Sequence, residues 1–317
     1  MTDSSLAPKP TVQPVLAMSA SDWAALLTLS LLWGGSFYFA KVAVADIPPL
    51  TLAFGRVAIA AAVLAIAMRI AAVSFPRDRR IWWDFAVIAA LNNVIPFSLI
   101  FWGQIHISIG LASILNATSP LFTVLVAHAF TQDDKLNPSR AMGLAAGFVG
   151  VVILIGPGLL HEFGTHALAE LACLVASVSY AFGAIRTRRL RALSPFAVAG
   201  GQLTMSAAIL LPLVLLFDRP SALWSASVPA TAAMVALAVL STSVGYLLYF
   251  RILIRAGATN AMLVTFLIPV SAILLGLMLL GEQVEPRQLA GMGAIALGLA
   301  AIDGRPLRFV GGRLRRP

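Results

Sequence analysis

The chain has 317 residues, of which 60% are hydrophobic and 11% charged, and its mean hydropathy is +0.92. A soluble domain carries about 25% charged residues, so too little polar surface is available to coat a globule of this size, and intrinsic disorder is excluded by the same figures. The net charge of +9 comes from 22 Lys and Arg held mostly in short segments between apolar runs. No basic stripe is interleaved with aromatics, which excludes a nucleic-acid groove.

In chain order, the first 21 residues carry Pro8, Pro10 and Pro14 but no apolar signal-peptide core, and read as a cytoplasmic tail. A helix crossing about 30 Å of hydrocarbon needs roughly 20 residues at 1.5 Å rise. Ten apolar runs meet or approach that length: 23–44, 50–70, 83–105, 110–130, 140–157, 168–186, 196–217, 229–250, 257–280 and 287–303. They lack the alternation of barrel strands, and helices satisfy their own backbone groups in lipid. The expected fold class is therefore an all-α polytopic membrane protein with ten transmembrane helices. Residues 304–317 form a basic C-terminal tail. Cys173 lies in an apolar run as an inert thiol, being the one cysteine in the chain.

With the N-terminus in the cytoplasm, 18 of the 22 basic residues fall in cytoplasmic segments and only Arg219 and Arg287 on the opposite side. Lys41 and Arg56 remain inside spans. This positive-inside bias places both termini in the cytoplasm, as for a bacterial inner-membrane protein.

The chain also repeats itself. Ala112 aligns with Ala261 and Pro120 with Pro269 at an offset of 149 residues. After a one-residue slip Asp134 aligns with Glu282, Gly143 with Gly291 and Gly150 with Gly298. Earlier, Pro49 aligns with Pro195, Gly55 with Gly201 and Arg56 with Gln202. The two repeats, 22–157 and 168–303, have five spans each. An odd number makes the second repeat enter the membrane from the opposite side, which is a recurrent transporter plan.

Leu32, Trp33, Gly34, Gly35 and Ser36, followed by Lys41 and by Arg56 in the second span, resemble the opening of EamA-type transporters of the drug/metabolite transporter superfamily. The stretch from Gly110 to Pro120 and the stretch Gly257–Asn260, Pro269 and Leu280-Gly281-Glu282 extend the resemblance over roughly 22 to 303. It implies a 5+5 helix basket around a central cavity and export of metabolites, amino acids or drugs. One departure is Asp133-Asp134 at the first-half acidic position, where the family pattern has Glu.

All 13 acidic residues fall in loops or at span ends, so no deep carboxylate relay for protons is expected. Arg56 must therefore find carbonyls, water or an anionic ligand: it is either a substrate-carboxylate anchor or a structural arginine. Lys41, with Phe37 and Trp33 at four-residue spacing, either heads a cavity stripe or snorkels to the interface. Asn92, Asn93 and Asn116 supply amides beside Pro96 and Pro120, each of which frees the carbonyl four residues back. Their second-half counterparts are Tyr180, Gln202, Tyr246 and Asn260, with Pro269 as a further helix break. These side chains are the candidate cavity, or else ordinary interhelical hydrogen bonds. His161, Glu162, His166 and Glu170 depart from zinc-ligand spacing, so no metal is expected, nor a cofactor. The spans hold no His–carboxylate pair and the chain no phosphate loop, which argues against an enzyme. The expected function is movement of small metabolites by alternating access, in the efflux direction. An uptake carrier or exchanger and a non-transporting sensor or scaffold are the alternatives. Its expected partners are a small-molecule substrate and the lipid bilayer, with the protein a monomer or homodimer.

Overall fold

Polar residues punctuate the apolar runs and decide where each helix begins and ends. In a computed structural model, which describes residues 18–132, 135–155, 165–218 and 222–303, Ser19 opens α1 (Ala20–Ala43) with a reciprocal capping box to Asp22. Pro49 sits in the first turn of α2 (Pro49–Ile70), and the Asp78 carboxylate caps α3 (Arg79–His106). Ser108 caps α4 (Ile109–Phe130), which is followed by α5 (Pro138–Ile155) and α6 (Thr165–Thr187). Ser194 and Ser227 cap α7 (Pro195–Phe217) and α8 (Val228–Ala256). Gly257 and Gly281, both with positive φ, end α8 and α9 (Val264–Leu280), and α10 (Pro286–Asp303) closes the described chain. The tails 1–17 and 304–317, the Asp133-Asp134 pair, and His161 and Glu162 lie outside the described residues.

Seven of these helices are long and apolar enough to cross a membrane; α9 is shorter, and α5 and α10 each end at the limit of the described residues. The short α9 has a local cause. The run at 257–280 is interrupted by a turn at Met262–Leu263, which leaves a single turn at Ala258–Ala261 and a 17-residue α9. At 1.5 Å per residue, a 17-residue helix is a few ångströms shorter than about 30 Å of hydrocarbon. Leu31, Ile66, Val152, Leu216, Met278 and Leu297 are among many large apolar side chains on the outside, a surface suited to lipid and not to water.

The helices pack in an exchangeable pattern. α2 lies against α7 and α5 against α10. α1 packs on α9 as α4 does on α6; α1 packs on α8 as α3 does on α6; α2 packs on α8 as α3 does on α7; and α4 meets α9. Moving every helix five places along maps each of these pairs onto itself or another of them, whereas the packing of α2 on α3 and of α1 on α3 and α4 has no counterpart of similar extent. Contact depends on missing side chains at the α5–α10 seam. A Cβ on Gly143 would lie 2.6 Å from the Gly298 carbonyl, and one on Gly150 would lie 2.8 Å from the Gly291 carbonyl. The pairing 143 with 298 and 150 with 291 runs in opposite directions, so the two helices are antiparallel.

Two helices depart from α geometry at matching places. α3 has a π-helical stretch at Ala90–Val94 and α8 one at Leu237–Val244. Both lie near mid-helix, and π-bulges inside α-helices are frequent at functional sites.

Candidate substrate site

In α3, the Ile95 N–H reaches five residues back to the Ala90 carbonyl. Continuing that register would bring position 96 to the Leu91 carbonyl, but Pro96 has no N–H to give. The Ser179 hydroxyl of α6 takes that place, donating to the Leu91 carbonyl at 2.8 Å. The sequence places the freed carbonyl at Asn92, four residues before Pro96. The π register moves it to Leu91. In α8 the Trp33 indole N–H of α1 donates to the Ser241 carbonyl at 3.1 Å. Thus the first helix of each repeat supplies a donor to the π stretch of the other. Within α8, the hydroxyls of Thr242 and Ser243 donate to carbonyls five residues back, Leu237 and Ala238, at 3.0 Å each.

Side chains from these stretches and from α2 and α7 form one polar layer. Asn92 Nδ2 reaches Thr187 Oγ1 and Gln202 Oε1, both at 3.4 Å, and Gln202 Nε2 donates to the Tyr246 hydroxyl at 3.0 Å. Asn93 Nδ2 donates to Ser206 Oγ at 2.8 Å, and Ser206 donates to the Gln202 carbonyl at 2.6 Å. Arg56 Nε donates to Thr242 Oγ1 at 2.9 Å, and its guanidinium carbon lies 3.8 Å from the Phe97 ring centre. That is cation–π distance, with Phe101 next to it at 5.9 Å. The phenols of Tyr180 and Tyr246 lie within electrostatic reach of the guanidinium. The Asn93 and Asn116 Oδ1 atoms are buried and have no protein donor among the described residues.

Five expected site residues thus come together here: Arg56, Asn92, Gln202 and Tyr246, with Asn93 behind them, and Tyr180 faces the same group. Trp33 borders the layer, its ring 5.5 Å from that of Tyr249. Others lie elsewhere. Lys41 Nζ donates to the carbonyls of Gln104 and Ile107 at 2.5 and 3.0 Å, at the end of α3. The last carbonyls of a helix have no intrahelical partner and attract a cation, which explains the placement. Phe37 is buried in the main apolar core, and its carbonyl accepts from Gln104 Nε2 at 2.8 Å. Asn260 closes the turn after α8, donating to the Ala256 carbonyl at 2.9 Å.

The other two prolines behave differently from each other. α4 breaks at Ala117–Thr118, just before Pro120, and the Asn116 carbonyl freed there is taken by the Ser119 hydroxyl at 2.7 Å. α9 runs through Pro269 without a break, the interruption falling at Met262–Leu263 instead. Thr242, Ser206, Thr187, Phe97 and Phe101 are site residues that the sequence reading did not single out. The signal available was the Ser241-Thr242-Ser243 triplet inside an apolar run, at the repeat offset from Asn92 and Asn93.

Bonds between the repeats also tie both ends of the bundle. Where α1 begins, Asp22 faces Arg255 at 3.3 Å and Asp84 faces Arg186 at 2.5 Å. Where α1 stops, Asp218 Oδ2 accepts from the Thr51 N–H and hydroxyl, both at 2.7 Å, and the Glu282 carboxylate accepts from the Ile109 N–H at 2.9 Å. Each of these last two carboxylates sits at a helix N-terminus, the favourable end for an anion.

A bundle of apolar helices with a buried polar layer fits an integral, multi-pass membrane transporter, and comparison with known proteins gives the family. The model of the EamA-like transporter family matches residues 22–156 and again 167–302, so the chain belongs to that family and carries its domain twice. Among its relatives, an uncharacterized transporter YoaV of Bacillus subtilis is 25% identical over 276 residues, covering 86% of this chain and 94% of its own. A probable terminal-alkyne amino-acid exporter of Streptantibioticus cattleyicolor is 28% identical over 291 residues, covering 90% and 93%. An uncharacterized inner membrane transporter YedA of Escherichia coli K12 is 24% identical over 282 residues, covering 88% and 89%. A solved crystal structure superposes with a TM-score of 0.65 at 20% identity, over 94% of this chain and all of the other, which shows a shared fold.

Proposed function

We propose that this protein exports small metabolites from the bacterial cytoplasm by alternating access. Ten spans form two inverted five-helix repeats, 22–157 and 168–303. Both termini, tails 1–21 and 304–317, lie in the cytoplasm, and the bilayer is the inner membrane. The efflux direction is supported by the relative named as an amino-acid exporter.

The observation that carries this reading is the chain Asn92–Gln202–Tyr246 together with Arg56–Thr242, spanning both repeats at their π-helical stretches. Opening toward one side requires breaking only the few polar ties at that end, while the other set holds. Desolvated polar groups at mid-depth are retained at a cost in membranes, and a substrate that hydrogen-bonds to them offsets it. The test is counterflow in proteoliposomes across a metabolite panel, with Gln202→Leu and Asn92→Leu. Both variants should lose at least ten-fold in flux, on the order of one to two lost hydrogen bonds, while remaining monodisperse. Wild-type flux in both variants would overturn the assignment of the layer.

A further inference from the structure

Arg56 has an unusual balance of partners. A guanidinium carries five N–H donors and stays charged at any accessible pH. One of the five, on Nε, is used by Thr242, and the flat face rests on Phe97. Among the described residues neither Nη makes a hydrogen bond, and Arg56 takes part in none of the ion pairs. Nor, among the described residues, is there an acid at this depth to supply the missing charge: the carboxylates of Asp22, Asp84, Asp218 and Glu282 are engaged at the two ends of the bundle. A lone cation in the middle of a membrane protein is held against a large desolvation penalty, and its free fork points to a planar, two-oxygen partner.

We propose that the substrate presents a carboxylate to the two Nη groups of Arg56, so that this residue sets specificity for monoanionic organic acids. This rests on the reading of the polar layer as the transport site. The surrounding chemistry narrows the class. The other groups around the guanidinium are neutral: the phenols of Tyr180 and Tyr246, and the amides of Gln202 and Asn92. One positive charge matches one carboxylate, whereas a phosphate dianion would leave a charge unbalanced in low dielectric. Phe97 and Phe101 give the acid an apolar surface to lie along. Among the described residues no carboxylate lies in this layer, so an amino group on the substrate has no ionic partner there and is not required.

The experiment uses the purified full chain and three probes of one shape: leucine, N-acetylleucine and leucinamide. The first two carry the carboxylate, and the last two separate it from the amino group. Each is tested at millimolar concentration for a shift in melting temperature and for counterflow. Both carboxylates should stabilise the protein and leucinamide should not. Arg56→Gln should weaken the carboxylate response by about 30-fold or more, and Arg56→Lys by less, since it keeps the charge and loses the fork. If Arg56→Gln fails to fold, the wild-type comparison of leucine with leucinamide and the Lys variant decide. Equal responses to acid and amide, an undiminished carboxylate response in Arg56→Gln, an equal effect of chloride alone, or no response to any probe would each overturn the proposal. A carboxylate-specific melting shift without flux would uphold the carboxylate site and count against the transport reading. Flux of all three probes alike would do the reverse.

Discussion

The indole N–H of Trp33 donates to the main-chain carbonyl of Ser241 at 3.1 Å, from α1 into the π-helical stretch of α8. Its counterpart is the Ser179 hydroxyl on the Leu91 carbonyl at 2.8 Å, from α6 into the π stretch of α3. Pro96 leaves the Leu91 carbonyl without its helical donor and Ser179 supplies one, whereas the Ser241 carbonyl gains the indole N–H from the other repeat. Removing Ser179 leaves the Leu91 carbonyl unsatisfied in a dry interior, at about 1–3 kcal/mol, and removing the indole donor forfeits one hydrogen bond, at about 0.5–1.5 kcal/mol. Trp33→Phe should therefore lower the melting temperature and raise amide exchange locally at 237–244, and Ser179→Ala should do so at 90–94. Exchange that rises equally in both stretches for either variant would show that the two bonds act on global stability and not on their own helices.

The seam between α5 and α10 makes a sharper stability prediction. A Cβ on Gly298 would lie 2.5 Å from the Gly143 carbonyl and 2.6 Å from the Gly147 nitrogen, both backbone atoms that cannot rotate away. Gly298→Ala must push the helices apart, destabilising the protein by about 1–3 kcal/mol. Gly293, on the same helix, has nothing within 4 Å of the corresponding position. Gly293→Ala should be neutral or stabilising by up to ~1 kcal/mol through helix propensity. Thermal unfolding of the two purified variants checks this. Equal stabilities would mean that the seam is looser than its geometry indicates.

Much of the architecture was legible because bilayer physics leaves long apolar runs few options. The repeat was legible because matching prolines and glycines do matching work, as Gly150 and Gly298 do at the seam. The polar layer was half legible: Arg56, Asn92, Gln202 and Tyr246 stand out in apolar runs, and they meet. What the sequence hid was register. A proline predicts a freed carbonyl four residues back, but the π stretch shifts it by one and Ser179 covers it, a partner 88 residues away. Lys41 shows a similar limit. Its four-residue spacing from Phe37 and Trp33 is real, yet a flexible four-carbon stem lets the ammonium follow the nearest unsatisfied carbonyls away from that stripe.

Asp46, in the connection between α1 and α2, gives a pH prediction. It accepts from the Ser227 N–H at 3.1 Å and from the Ser227 hydroxyl, and these bonds hold its carboxyl below the usual 3.8. A group whose folded value is depressed contributes stability that is fully present above the unfolded value and is lost as pH falls through the folded one. The wild type should therefore exceed Asp46→Asn in melting temperature by a constant small margin from neutral pH down to about pH 5, and the margin should close below about pH 4. A margin that widens on acidification would contradict the assigned hydrogen bonds.

Lys41 and Arg56 are the two basic residues inside the apolar runs, and their surroundings predict opposite phenotypes. Lys41 Nζ bonds the Gln104 and Ile107 carbonyls, in the connection that leads to the N-terminus of α4, where Glu282 accepts from Ile109. Those bonds hold α1 to the α3–α4 connection, within the first repeat, and touch none of the polar layer. Lys41→Ala leaves two carbonyls short of a charged donor, so it should cost about 1–3 kcal/mol of stability, with the loss read by thermal unfolding. Its KM for any transported substrate should stay within about two-fold of wild type, because uniform binding at the layer is untouched. Arg56→Gln should do the opposite, changing apparent affinity more than melting temperature. A Lys41→Ala protein with unchanged stability and a KM raised about ten-fold would return Lys41 to the substrate path and remove it from the helix-end tie.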